Sequence, residues 1–140
     1  MNRECVGNLF QHRLSIGPES IDSNGHVNNI EYVRWMQEAA LAHSAARGLT
    51  DELYAELGAT WVARSHFIEY LRPAFAGDGL LIETWIADFA RSRSTRKYRF
   101  VREADGLELA RAETLWVYVS RKTGRPLPIH QRVADLFMAG

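Results

Sequence analysis

Cysteine is nearly absent from this chain, with Cys5 as its single representative. That excludes an internal disulfide and a cysteine-built zinc cluster, and leaves Cys5 as a bystander thiol at home in a reducing compartment. A net charge is missing too: 17 basic residues face 17 acidic ones, so nothing draws the whole chain to nucleic acid or to an acidic membrane. No apolar run approaches the roughly 20 residues of a membrane span, and the stretch from Met1 to Cys5 has no signal-like apolar segment. These absences together predict a soluble, cytoplasmic protein with neither nucleic acid nor membrane as partner. The sequence also lacks a Gly-x-Ser-x-Gly elbow, a Walker loop and a His-Glu-x-x-His helix, and its 5 histidines are scattered. No metal and no cofactor is therefore expected.

What is present suits one domain over residues 1–140, with one core and no internal repeat. Residues 10–16 alternate apolar and polar, the mark of a strand with one buried face, and Gly17-Pro18 stops it. Residues 21–29 are crowded with Asp, Ser, Asn and Gly, which bond their own backbone and favour loops. A helix is predicted over 30–47, with Val33, Met36, Ala40, Leu41 and Ala45 on its apolar stripe, Asn28 or Asn29 as its cap and Glu31 suiting its dipole. A shorter helix over 51–57 follows, capped by Thr50 and ended by Gly58.

From there the pattern is β. Strands are expected over 60–71, 80–89, 94–102 and 107–120, divided by Arg72-Pro73, by Gly77-Asp78-Gly79 and by the hairpin signal Ala104-Asp105-Gly106. Residues 130–138 form a short last helix. One strand, one long amphipathic helix and four strands define an α+β class: a five-stranded, mainly antiparallel sheet wrapped around the helix. An open ferredoxin-like sheet is less suitable, because only one long helix is available to cover it. The other sheet face then needs a partner, most simply a second copy of the chain.

Asp22, Asn24 and His26 alternate, so a locally extended backbone would turn all three side chains to one side. An aspartate there can attack an activated carbonyl or take a proton from water, while an amide and an imidazole orient the water or hold developing charge. The free amides at the start of the following helix can receive an oxyanion. The alternative is that Asp22, Asn24 and Asn28 are turn and capping residues and His26 a surface histidine; composition and spacing by themselves favour it.

The run Asp22-Ser23-Asn24-Gly25-His26-Val27-Asn28-Asn29, followed by Tyr32, resembles the Asp-x-x-Gly-His-Val-Asn-Asn-x-x-Tyr signature of hot-dog thioesterases, the family of 4-hydroxybenzoyl-CoA and plant acyl-carrier-protein thioesterases. Glu69 to Ala74, Gly77-Asp78, Ile82-Glu83-Thr84 and Thr123 to Ile129 resemble family segments in the same order, so the likeness spans roughly residues 8–132. It implies a hot-dog fold and hydrolysis of an acyl-CoA, less readily of an acyl-carrier-protein thioester, by a homodimer or a dimer of dimers with the site at a subunit interface. Asp22 then matches the catalytic aspartate, and Asn24 and His26 match helper positions. The plant enzymes carry a further acid or cysteine where this chain has Arg72-Pro73.

By the same resemblance Asn29 and Thr60 are substrate-binding candidates, Thr60 through its backbone amide. Tyr32 and Trp61 either touch substrate or pack. Arg91, Ser92 and Arg93, with Ser94, Arg96 and Lys97, form the densest basic cluster. It suits the phosphates of coenzyme A, or else guards a hairpin edge with charge. Two other activities remain beside hydrolysis: a non-catalytic acyl-CoA binding module, and a hydratase acting on an enoyl thioester.

Overall fold

The computed structural model describes residues 8–139, so Cys5 and the segment around it lie outside the described residues. Strand β1, Phe10–Ser15, alternates half-buried and exposed positions as its sequence demands. A single 3-10 turn, Pro18–Ser20, leads into the Asp22 loop, and helix α1 runs over Asn29–Ala46. The Asn28 side-chain oxygen accepts from the Ile30 amide at 3.1 Å, so Asn28 is the cap and the helix begins one residue before the expected start. Helix α2, Asp51–Leu57, begins where the Thr50 hydroxyl accepts from the Leu53 amide and ends at Gly58, whose φ of +66° few other residues adopt.

Four strands follow: β2 Ala59–Tyr70, β3 Gly79–Phe89, β4 Arg93–Arg102 and β5 Glu108–Ser120. Helix α3, Gln131–Met138, closes the described chain, with His130 Nδ1 accepting from the Arg132 amide. The sheet order is β1-β3-β4-β5-β2, and every pairing is antiparallel. β2 therefore forms an edge, although it is followed in the chain by β3. The α+β layout expected from the sequence, one helix held by five curled strands, is the one observed.

The strand period of two decides what faces α1. Leu80, Ile82, Thr84 and Ile86 of β3, and Ser94, Arg96, Tyr98 and Phe100 of β4, turn inward and are buried. Arg96 and Lys97 consequently lie on opposite faces, and the basic cluster 91–97 is not one surface. Arg91 and Arg93 are exposed at the turn, whereas Arg96 is only 3% exposed. On the outer face Arg99 pairs with Glu83 and Glu108 at 2.9 and 2.8 Å, and Arg111 pairs with Glu108 at 2.8 Å. That face carries these ion pairs beside the rings of Phe67 and Trp85.

Helix α1 also buries a different stripe from the expected one. Tyr32, Trp35, Met36, Ala39, Ala40 and His43 are buried, while Leu41 is 70% exposed and Ala45 is exposed. Reading aliphatics alone missed that aromatic rings and a histidine fill the concave sheet. Ala39 is small enough to let the sheet close on the helix.

Met36→Ala, at 0% exposure, is expected to cost about 2–5 kcal/mol in urea unfolding. Leu41→Ala should stay within about 0.5 kcal/mol of the parent. Equal costs would contradict this assignment of the core face.

Candidate active site

The segment 21–27 is a turn, not an extended stretch. Ile21 and Val27 form an antiparallel bridge, and the Asp22 amide donates to the His26 carbonyl at 2.8 Å. Gly25 sits at φ +79° and donates to the Asp22 carbonyl, which gives the tight reversal a residue able to make it. Val27 anchors the turn: its side chain is buried in the core and its amide donates to the Ala74 carbonyl at 2.9 Å.

This geometry changes what converges on Asp22. Its Oδ1 accepts from the backbone amides of Asn24 at 2.9 Å and of His26 at 3.3 Å, so main-chain donors meet it and not the two side chains. Oδ2 makes no hydrogen bond among the described residues. The Asn24 side chain is exposed, and the His26 ring stands edge-on to Phe75 with centroids 5.4 Å apart. The carboxylate thus has one oxygen fixed by the turn and one available for chemistry.

At the start of α1 the donors are partly spent. The Ile30 amide goes to the Asn28 side chain and the Glu31 amide to the Asn28 carbonyl, leaving the Asn29 amide without an acceptor among the described residues. Asn29 is thus the amide with capacity for an oxyanion. Beside it the Glu31 carboxylate is held below its usual range by Arg34, then by the Ser20 hydroxyl, at 2.6 Å each. Tyr32 packs edge-on against Trp35, Tyr70 and Phe100, and burial raises its hydroxyl to about 12. Of its two expected roles, packing is the one it fills within the chain.

A second feature lies elsewhere. A cavity of about 440 Å³ opens between the later turns of α1, the start of α2 and the inner face of the sheet. Thr60 and Trp61 line it, as do Gln37 and Leu41; the Asp22 loop does not. The helix explains the separation, since Gln37 is roughly 13 Å beyond Asn28 at about 1.5 Å of rise per residue. Trp61 packs and also lines the cavity, its indole N–H donating to the Tyr54 hydroxyl at 2.9 Å. Arg91, Ser92 and Arg93 form the β3–β4 turn, clamped by Tyr118 N–H on the Ser92 carbonyl and Ile129 N–H on the Arg91 carbonyl, both at 2.8 Å. The neighbouring Ser94 is part of the cavity wall.

Sequence reasoning missed the innermost wall. Arg96 Nη1 donates to His43 Nδ1 at 2.9 Å and to the Thr84 hydroxyl at 3.0 Å, and its guanidinium lies 5.6 Å from the centre of the Phe137 ring. The alternation Ser94, Arg96, Tyr98, Phe100 held the signal, because it puts the arginine on the strand's apolar face. As an arginine only donates, His43 Nδ1 must accept, which places the ring proton on Nε2. Burial, then the charges of Arg96 and Arg47, pushes His43 down to about 3. Among the described residues no cluster of His, Cys, Asp or Glu is arranged to hold a metal ion, and no helix is long and apolar enough to cross a membrane.

The chain belongs to the thioesterase-like superfamily, which it matches over residues 16–137. Its fold is the hot-dog fold, so the family resemblance carried by the Asp22 motif is borne out. Among solved structures it resembles Slr0204, a 1,4-dihydroxy-2-naphthoyl-CoA thioesterase from Synechocystis, with 20% identity, a TM-score of 0.84 and coverage of 92% of this chain and 95% of that one. SAV2348 from Staphylococcus aureus, solved in complex with CoA, aligns with 19% identity and a TM-score of 0.87, over 96% and 85% of the two chains. A DHNA-CoA thioesterase from the same species aligns with 18% identity and a TM-score of 0.82, over 94% and 87%. No curated protein matches the sequence.

The neutral His43 gives a pH signature. Its folded-state pKa lies below the unfolded value, so the unfolded chain takes the proton first and stability falls as pH drops through about 6.5 toward 3. The loss amounts to at most roughly 5 kcal/mol. His43→Gln, which keeps an acceptor for Arg96, is expected to flatten that acid limb in denaturant titrations between pH 6.5 and 4. An unchanged limb would show that the ring protonates within the folded chain.

Proposed function

We propose that the protein hydrolyses the thioester of an acyl-CoA, and less readily of an acyl-carrier protein, to the free acid and the thiol. The observation that carries this reading is the Asp22 carboxylate, oriented by two backbone amides directly ahead of α1 in a chain of the thioesterase-like superfamily. Asp22 attacks the thioester carbonyl, or takes a proton from the water that does. The Asn29 amide and the field of the helix terminus hold the oxyanion. The carbon–sulfur bond then breaks: after direct attack the acyl group stays on Asp22 as a mixed anhydride, which water hydrolyses to the free acid while its proton goes to the thiolate, and in the general-base route the proton that Asp22 took from water passes to the thiolate. Asn24 and His26 fix the carboxylate through their amides, and their side chains face whatever approaches the loop. The CoA bound to SAV2348 supports a CoA ester as substrate, and Arg91 and Arg93 at the exposed turn suit its phosphates.

The active unit in this reading is a homodimer, with a dimer of dimers as its larger form. β2 leaves one side of its backbone unpaired at the sheet edge and exposes Val62 and Phe67, the latter to 60%. Such an edge invites pairing with another strand. A second copy joined there would let the Asp22 loop of one subunit serve the cavity of the other, and the two lie apart within one chain.

The turn geometry makes Asp22→Asn the informative variant, because an Asn oxygen preserves both amide bonds while removing the base. Thiol release from a panel of acyl-CoAs is expected to fall at least about a hundredfold in Asp22→Asn with the fold unchanged, and as far in Asp22→Ala. Near-normal release from the Asn variant would reduce Asp22 to a turn residue. A wild type that binds acyl-CoA without releasing thiol would be a binding module, and one that alters an enoyl chain without freeing thiol a hydratase.

Light scattering should return about twice the 15.9 kDa chain mass, or four times it. A fully active monomer would exclude a site shared between subunits.

A further inference from the structure

Among the described residues Arg96 is a buried cation without an anion. It is 3% exposed, and no carboxylate lies within ion-pair distance of it among the described residues. Its partners are a neutral imidazole, a hydroxyl and the face of a phenyl ring. Leaving a charge in that condition is costly, and burial alone lowers the guanidinium's pKa without discharging it. The pattern of bonds shows where a counter-ion would go. Both Nη1 protons are spent, one on His43 and one on Thr84, while Nε and Nη2 donate to no acceptor among the described residues. Those two nitrogens form one edge of the guanidinium plane, the edge that receives a carboxylate through two parallel hydrogen bonds.

That arginine belongs to the wall of the 440 Å³ cavity, a volume within the roughly 300–1,000 Å³ of small-molecule sites. The lining passes from exposed Gln37, Leu41 and Asp51 to buried Ile86 and Arg96, so the guanidinium lies at the inner end. Apolar surface from Leu49, Ile86 and Phe137 accompanies it. Asp51, the acid of this wall, is exposed in the first turn of α2 at the outer end. We propose that the cavity binds the carboxylate of a small, mostly apolar organic acid on the free edge of Arg96. Resting on the thioesterase reading, this makes the preferred substrate an acyl-CoA whose acyl chain ends in a second carboxylate. The second guanidinium of the lining, Arg121, is exposed and donates its Nε to the Ala59 carbonyl at 2.9 Å, so a phosphate at the inner end would bring more charge than Arg96 offsets there.

Two probes separate this proposal from the reaction assigned to the site. Hexanoate and hexanamide differ in charge but little in shape, and quenching of Trp61 and Trp116, which line the cavity, reports occupancy. Hexanoate is expected to bind wild type at least tenfold more tightly than hexanamide, and Arg96→Gln to abolish that difference while Arg96→Lys restores part of it. Equal binding of the two by wild type overturns the proposal, whether or not the variants fold. In turnover, adipyl-CoA should exceed hexanoyl-CoA at least tenfold in kcat/KM. Hydrolysis without that preference overturns the substrate assignment and leaves the thioesterase reading standing. Charge-dependent hexanoate binding with no thiol released from either ester sinks the thioesterase reading and supports the carboxylate site.

Discussion

The constraint on which the rest of the molecule depends is the closure of the sheet on one face of α1. Met36 and Ala39 are wholly buried, and Leu80, Ile82 and Phe100 meet the helix from the concave side. This packing fixes the direction of the helix and therefore the position of everything attached to its two ends. At one end Val27, buried in the same cluster, pins the Asp22 turn against the core. Toward the other end His43 reaches Arg96 across the helix–sheet interface. A single buried stripe thus places the Asp22 turn and the Arg96 cavity along one rod, and the length of the rod keeps them apart.

Much of this was legible because strong local signals agreed. The Asn28 and Thr50 caps, the stop at Gly58 and the turn residues between strands fixed the elements to within a residue or so. These are short-range effects, decided by which backbone groups a side chain can satisfy. The α1 stripe was harder, since a curled sheet accepts rings and a histidine as readily as aliphatics. Leu41 and Ala45 sit on the apolar helix but face the cavity instead of the core. Arg96 was grouped with the basic cluster of residues 91–97 for a different reason. A run of basic residues in a sequence suggests one surface, yet along a strand neighbours point to opposite sides.

The Asp22 loop shows how far a motif reaches without coordinates. Its residues identified the family, and the family is borne out. Their conformation did not follow, because alternation along a short Asp- and Gly-rich segment is equally compatible with an extended stretch and with a turn. In the turn, Asp22 is both a structural acceptor and a carboxylate with one oxygen available. The turn reading is met by one oxygen of the side chain, and the other makes no hydrogen bond among the described residues.

The alternating acids and bases across the convex side of β3, β4 and β5 have a consequence of their own. Glu83, Arg99, Glu108 and Arg111 satisfy one another in a row, alongside the rings of Phe67 and Trp85 on the same side. Anything that settles on that row must compete with bonds already made. Its grip would be set by counter-ions, firm in dilute buffer and slackening as added salt shortens the reach of each charge to a few ångströms.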